Sequence, residues 1–172
     1  MAINNVTESP SDPLALIWQT DWASLEHAGG TAEDTPAALA DLLLGTPEAQ
    51  AEAVRHLNGR VHHQNTLYSA TGPAAFCVAA FLSDPRTDTL VPSREDGQRY
   101  PLRQELLEWL GSITDEVSND AEAVLVRLGR LPEKYPEFTE IRALRPTLFP
   151  AVSAFFQDSN LPVRQGRSVL MS

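Results

Sequence analysis

Four histidines, at positions 27, 56, 62 and 63, are the side chains of this chain best suited to metal binding or proton transfer. Adjacent His62 and His63 point about 100° apart in a helix and to opposite faces of a strand, so the pair cannot easily hold one ion alone. The chain has no His-Glu-x-x-His pattern and no pair of cysteines. We therefore predict no metal site and no cofactor.

The carboxylates of Glu105 and Glu108 lie one helical turn apart, a spacing that acid–base or metal chemistry could use. They flank the apolar stripe of a predicted amphipathic helix, where charged side chains are normally exposed. No histidine follows at the spacing that a di-iron bundle requires, and the sequence contains no nucleophile elbow, phosphate-binding glycine loop or dinucleotide fingerprint. We predict that the protein is not an enzyme. An enzyme whose site is assembled from scattered residues is the third hypothesis.

Cys77 is the only cysteine, so an internal disulfide framework is excluded. It lies in the apolar run 74–82, a setting that favours a small buried side chain over a nucleophile. The same run is too short to cross a bilayer. The first residues lack the basic and apolar regions of a signal peptide. We expect a cytoplasmic protein that does not bind membranes.

Negative charge is concentrated at the start of the chain. Residues 1–54 hold nine acidic side chains and no lysine or arginine, whereas residues 55–172 hold fourteen acidic and thirteen basic side chains. The total is −10, with a pI of about 4.7. Such a surface attracts basic partners and repels phosphate backbones, which argues against nucleic-acid binding. The alternative is that the acids only keep the protein soluble.

The residues that we predict to contact a partner lie in the first half of the chain. One set comprises acidic side chains around the first predicted helical hairpin: Glu33, Asp34, Asp41, Glu48 and Glu52. A second set comprises polar side chains in the segment that follows: His62, His63, Gln64 and Tyr68. Loops at the edge of a rigid scaffold often carry recognition. For the second set a structural role comes first, because imidazole, amide and hydroxyl groups can satisfy exposed helix ends, and partner contact is the sharper alternative.

Helical periodicity dominates the chain, and no stretch alternates long enough to predict a strand. Capping and breaking residues delimit a short antiparallel hairpin, with one helix starting at Asp34-Thr35-Pro36 and the next running from Pro47 to Asn58-Gly59. Further helices are predicted over 14–28, over 74–82, from Pro101, from Asn119-Asp120 and from 158 onwards. Residues 83–99 are predicted to be a long loop, and four prolines (132, 136, 146 and 150) to divide the following region into short pieces. Trp109 and Phe155 are predicted to lie in the core.

Parts of the chain resemble HEAT repeats. The hairpin Thr46–Leu57 is similar to the second helix of such a repeat and its lead-in, and Asp158–Arg164 resembles the acidic turn followed by Val-Arg that the family commonly shows. The segment Val61–Pro73, with the preceding Asp21-Trp22 pair, resembles bacterial HEAT-like proteins of unassigned function. The resemblance covers residues 21–82. It implies a binding scaffold and no reaction.

These observations predict an all-α protein with a loose N-terminal arm over residues 1–13 and one HEAT-like α-solenoid domain over 14–172. An irregular helical bundle is the alternative architecture. We expect a non-enzymatic module that binds a basic protein and, more specifically, an immunity-type inhibitor that neutralises a basic toxin. A scaffold or regulatory adaptor is the second hypothesis.

Overall fold

A computed structural model describes residues 11–155 of the chain. The described part is mostly helical, and its helices are α1 (Ala15–Trp18), α2 (Thr35–Leu44), α3 (Pro47–His56), α4 (Thr71–Phe81), α5 (Leu102–Glu116), α6 (Asn119–Arg127) and α7 (Pro136–Ser153). None of these helices is long and apolar enough to span a membrane. The helix predicted from residue 158 onwards, the Asp158–Arg164 resemblance and most of the N-terminal arm lie outside the described residues.

The prediction of a purely helical protein is wrong, because three short antiparallel hairpins connect the helices. Their strands are β1 (Glu26–His27) with β2 (Gly30–Thr31), β3 (His62–His63) with β4 (Thr66–Leu67), and β5 (Leu90–Pro92) with β6 (Arg99–Pro101). Strands of two or three residues are too short to produce an alternating pattern. Gln64 and Asn65 turn the second hairpin with φ values of 49° and 58°, a conformation that asparagine tolerates well.

The predicted helix over 14–28 is also wrong. Helix α1 ends at Trp18, a short 3₁₀ turn follows over Trp22–Ser24, and β1 begins at Glu26. The Trp22 indole N–H donates a 2.7 Å hydrogen bond to the carbonyl oxygen of Ile17, and both side chains are buried. This bond folds the chain back on α1 and satisfies one carbonyl at its end.

The hairpin of α2 and α3 confirms the prediction from capping residues. The Thr46 hydroxyl oxygen accepts a 3.2 Å hydrogen bond from the backbone N–H of Ala49 and caps α3. The Gln50 amide donates to the carbonyl oxygen of Leu42 across the turn. Apolar side chains from both helices are buried between them and the rest of the core, among them Leu39, Leu42, Ala53 and Val54.

The core continues through α4 and α5, as their sequences predict. Almost every residue of α4 is buried, and Trp109 of α5 is only 2% exposed. Helix α4 packs most extensively against α7, more than 50 residues away along the chain. A regular solenoid stacks each repeat only on its neighbours, so this long-range packing differs from a simple array.

The second half of the chain departs from prediction in three places. Residues 83–99 are not an unstructured loop, since they contain a 3₁₀ turn over Pro85–Asp88 and strand β5. Helix α6, capped by Ser118, only half-buries its apolar stripe: Ala121 and Leu125 pack against the core, whereas Val124 is exposed. Helix α7 is continuous through Pro146 and Pro150. Both prolines are exposed, so water can reach the carbonyls that lose their partners.

Candidate functional site

The acidic set around the first helical hairpin lies on the surface. All eight acidic side chains within residues 11–54 are exposed, including the five predicted to contact a partner: Glu33, Asp34, Asp41, Glu48 and Glu52. Among the described residues, two of them form ion pairs with arginine: Arg99 lies 3.4 Å from Glu48, and Arg55 pairs with Glu52. The charge of Arg86 also interacts with Asp12. Most of this surface therefore carries uncompensated negative charge. We call this group of eight acids the acidic N-terminal face.

Asp34 differs from its neighbours because it also belongs to a polar cluster. Its Oδ1 atom lies 2.7 Å from Nε2 of buried His27 and 3.9 Å from Nε2 of His56. Partial burial raises the pKa of Asp34, but the His27 hydrogen bond and the nearby His56 and His27 rings outweigh it, so the pKa lies below its ordinary value. Asp34 is thus an anchored carboxylate rather than a free surface acid.

The two histidines of this cluster come from different elements. His27 lies on β1 and His56 at the end of α3, with their ring centroids 5.5 Å apart in an edge-to-face arrangement. The Oγ1 atom of buried Thr35 lies 3.0 Å from Nε2 of His56. Burial lowers the pKa of His56, which favours the neutral ring at neutral pH. The cluster thereby joins the first β-hairpin to the start of α2 and the end of α3.

The His27, Asp34 and His56 cluster could in principle hold a metal ion, because one ligand atom from each lies within 4.8 Å of the others. The hydrogen bonds argue for a different role. The backbone N–H of Gly29 donates a 3.0 Å bond to Nδ1 of His27, so the neutral ring carries its proton on Nε2 and donates it to Asp34. A metal would need the Nε2 lone pair, and ligating histidines normally donate their other N–H. The arrangement fits a structural clamp better.

The second predicted set occupies the β3–β4 hairpin, where its members have different environments. His62 is only 6% exposed and its Nδ1 lies 3.3 Å from Oγ of Ser112, so its ring is buried and not on the surface. Burial lowers its pKa. Gln64 is exposed at the turn, whereas His63 and Tyr68 are half-buried.

In this segment, residues other than the predicted ones form the hydrogen bonds that satisfy backbone groups. The Thr71 hydroxyl donates a 2.6 Å hydrogen bond to the carbonyl oxygen of Val61 and accepts one from the N–H of Tyr68. The Ser69 hydroxyl accepts from the N–H of Glu26 and so ties this segment to β1. Hydroxyl groups at the end of the segment, rather than its imidazoles, satisfy the backbone.

A cleft of about 720 Å³ opens between α3, the β5–β6 hairpin and α5. That volume lies within the range of small-ligand sites, ~300–1,000 Å³. Carboxylates line part of it, including both members of the pair singled out in the sequence: Glu95, Asp96, Glu105 and Glu108. We call it the acidic cleft. None of the five acids predicted to bind a partner lines it.

Glu105 is half-buried in the acidic cleft, contrary to the exposure that its place beside the apolar stripe predicted. Burial raises its pKa from 4.5 to about 7, with further contributions from the negative charges of Glu108, Glu95 and Asp96. A carboxyl group with this pKa exchanges its proton near neutral pH. The spacing of Glu105 and Glu108 was visible in the sequence. The burial of Glu105 was not, because no pattern in residues 83–99 predicted a hairpin beside it.

Cys77 is 1% exposed in α4, and burial raises the pKa of its thiol to about 11. It is therefore a buried apolar side chain, as its neighbours in the sequence predicted.

Comparisons with family models, curated proteins and solved structures found no match for this chain. The HEAT-like assignment consequently rests on the sequence segments quoted above, and function has to be argued from the surface and the acidic cleft.

Proposed function

We propose that the protein is a non-enzymatic binding module, HEAT-like in its first half, that recognises a basic protein through the acidic N-terminal face. The observation that carries the proposal is the exposure of all eight acids of residues 11–54, in a segment without lysine or arginine. Complementary charge accelerates association and disfavours partners of like charge. A neutralising, immunity-type inhibitor of a basic toxin is the specific role that we favour.

Two exposed apolar side chains in the same segment support a contact surface. Trp18 at the end of α1 is 68% exposed and Leu44 at the end of α2 is 64% exposed. Interface energy is usually concentrated in a few large side chains, with tryptophan prominent among them, while surrounding charges set the rate of association. The acids therefore have apolar anchors close by in the sequence.

The proposal is tested by neutralising four acids that make no hydrogen bond in the Asp34 cluster: Glu33→Gln, Asp41→Asn, Glu48→Gln and Glu52→Gln. A partner captured from the native cell is first identified, and its association rate is then measured from low to physiological ionic strength. The wild-type rate should fall steeply as the screening length shortens to ~8 Å. The variant should associate more slowly with a smaller salt dependence, and its dissociation should change less.

A matched control removes the same charge elsewhere, with Asp115→Asn, Asp120→Asn, Glu133→Gln and Glu140→Gln, all exposed on or beside α5, α6 and α7. If charge at the acidic N-terminal face matters, this control should associate nearly as fast as wild type. If both variants slow association equally, the rate depends on the net charge of the protein and not on the acidic N-terminal face. Salt-independent binding in all three proteins would leave the acids with a solubilising role.

A further inference from the structure

One end of the acidic cleft gathers four carboxyl groups without a compensating base. Glu95 and Asp96 come from the β5–β6 hairpin, and Glu105 and Glu108 from successive turns of α5. The charges that act on Glu105 are those of the other three acids, and no arginine or lysine is among them. Acidic clusters are common on protein surfaces, so this feature alone does not define a site.

Gln104 supplies an independent observation. Its side chain lines the acidic cleft, is only 4% exposed, and donates a 3.0 Å hydrogen bond from Nε2 to Oε1 of Glu108. Because Glu108 accepts this bond, the amide is oriented with its oxygen pointing away. That oxygen, Oε1, has no hydrogen-bond partner among the described residues. A buried acceptor in this position is suited to an N–H donor.

Trp109 also lines the acidic cleft, and its buried indole N–H has no hydrogen-bond partner among the residues that the structure describes. Its side chain is 2% exposed and is held in the core of α5. Two arginines also line the acidic cleft. Arg55 on α3 forms an ion pair with Glu52, and the charge of Arg94, which precedes Glu95 in the β5–β6 hairpin, acts on Glu52 as well.

We infer that the acidic cleft binds a guanidinium or primary ammonium group between Glu105, Glu108 and Oε1 of Gln104. The group can belong to an arginine or lysine side chain of a protein or to a free small cation, since both present the same donors. The inference does not depend on the proposed function, because the acids assigned to the partner surface do not line the acidic cleft.

The test is titration calorimetry on the full chain with three probes: Nα-acetyl-arginine amide, its neutral isostere Nα-acetyl-citrulline amide, and agmatine. We expect the arginine amide to bind at least ~10-fold more tightly than the citrulline amide, because hydrogen bonds between charged groups are the stronger ones. If both agmatine and the arginine amide bind, the site accepts protein side chains and small cations alike. If only agmatine binds, the site is specific for small molecules. If neither cation binds better than the citrulline amide, the inference is wrong.

Glu105→Gln keeps the size of the side chain and should weaken binding of the preferred cation by ~10-fold or more. The matched control is Glu116→Gln, another half-buried glutamate of α5 that does not line the acidic cleft. It should bind as wild type does. Thermal melts establish that both variants are folded. Wild-type affinity in a folded Glu105→Gln protein would overturn the inference.

Binding should also strengthen as pH rises through about 7, where Glu105 ionises. The titratable and charged groups around it are Glu108 on α5, Arg94, Glu95, Asp96 and Tyr100 on the β5–β6 side, and Arg55 and His63 on the opposite wall. The pH dependence should disappear in Glu105→Gln and persist in His63→Asn. Persistence in Glu105→Gln would contradict the assigned contact.

Discussion

Nε2 of His27 donates a 2.7 Å hydrogen bond to Oδ1 of Asp34, which links the first β-hairpin to the start of α2. Asp34→Asn should destabilise the protein by roughly 0.5–1.5 kcal/mol, because the bond loses its charged acceptor and the carboxylate is partly exposed. Asp41→Asn, an exposed change on the same helix, should stay within roughly 0.5 kcal/mol. Urea unfolding measures both. Equal stability of the two variants would show that the bond contributes nothing.

The same cluster predicts loss of stability in acid. The pKa of His56 is lowered in the folded protein, so the unfolded chain takes up this proton first as pH falls through the ordinary histidine value of 6.5. The pKa of Asp34 is also lowered, so its contribution is complete above 3.8 and is lost as pH falls through the lower folded value. Unfolding free energies should be measured from pH 7 to pH 3 in the Glu105→Gln background, which removes the opposing contribution of Glu105, and they should decrease in both windows. His56→Asn should flatten only the upper window.

Glu105 should make the stability of the protein depend on pH in the opposite direction to the His27, Asp34 and His56 cluster. Its folded pKa of about 7 lies above its ordinary value of 4.5, so the folded protein binds more protons between these pH values and loses stability as pH rises. Glu105→Gln should therefore be more stable than wild type at pH 8, by roughly 1–2 kcal/mol after allowance for solvent screening. The difference should shrink towards pH 4.5. A variant less stable than wild type at pH 8 would contradict the assigned environment of Glu105.

Trp109 and Phe155 should differ in their contribution to the core. Trp109 is 2% exposed, so Trp109→Ala should cost roughly 3–5 kcal/mol. Phe155 is only partly buried, with the Arg103 guanidinium 4.9 Å from its ring centroid, so Phe155→Ala should cost less, roughly 1–3 kcal/mol. Denaturant unfolding compares them. A near-neutral Trp109→Ala would indicate that α5 is packed differently.

The tight turn between α2 and α3 can be tested through Gly45. A Cβ atom there would lie 2.6 Å from the carbonyl oxygen of Asp41 and 2.9 Å from Cβ of Ala49. Gly45→Ala should thus destabilise the protein by roughly 1–3 kcal/mol. Gly59→Ala is the control, because a Cβ at that position meets nothing within 4 Å. A tolerated Gly45→Ala would mean that the two helices are further apart at the turn.

The sequence predicted those elements that are set by interactions within a few residues of the chain. Thr46 and Pro47 begin α3 because a side-chain cap and a preset φ act within one turn of the chain. The apolar composition of α4 predicted its burial on most sides for a similar reason. Short hairpins escaped prediction, because two-residue strands are held by their turns and by neighbours such as Ser69, whose hydroxyl accepts from Glu26.

Helix α6 shows why periodicity alone can mislead. Val124 and Leu128 repeat at helical spacing, and the segment is helical, but their side chains are 42% and 65% exposed. Periodicity reports the angle between side chains around one helix. Whether another element covers that face depends on how α5 and α7 pack, which no residue of α6 determines.

The amino-acid sequence by itself determined the segregation of negative charge, the helical hairpin of α2 and α3, and the buried character of Cys77. Each follows from composition or from interactions within a few residues. Only the tertiary structure decided that His27, Asp34 and His56 meet, and that Glu105 becomes a half-buried carboxyl among three others. These environments arise from contacts between separate elements, and a pKa depends on the charges and solvent that folding brings to a group rather than on its place in the chain.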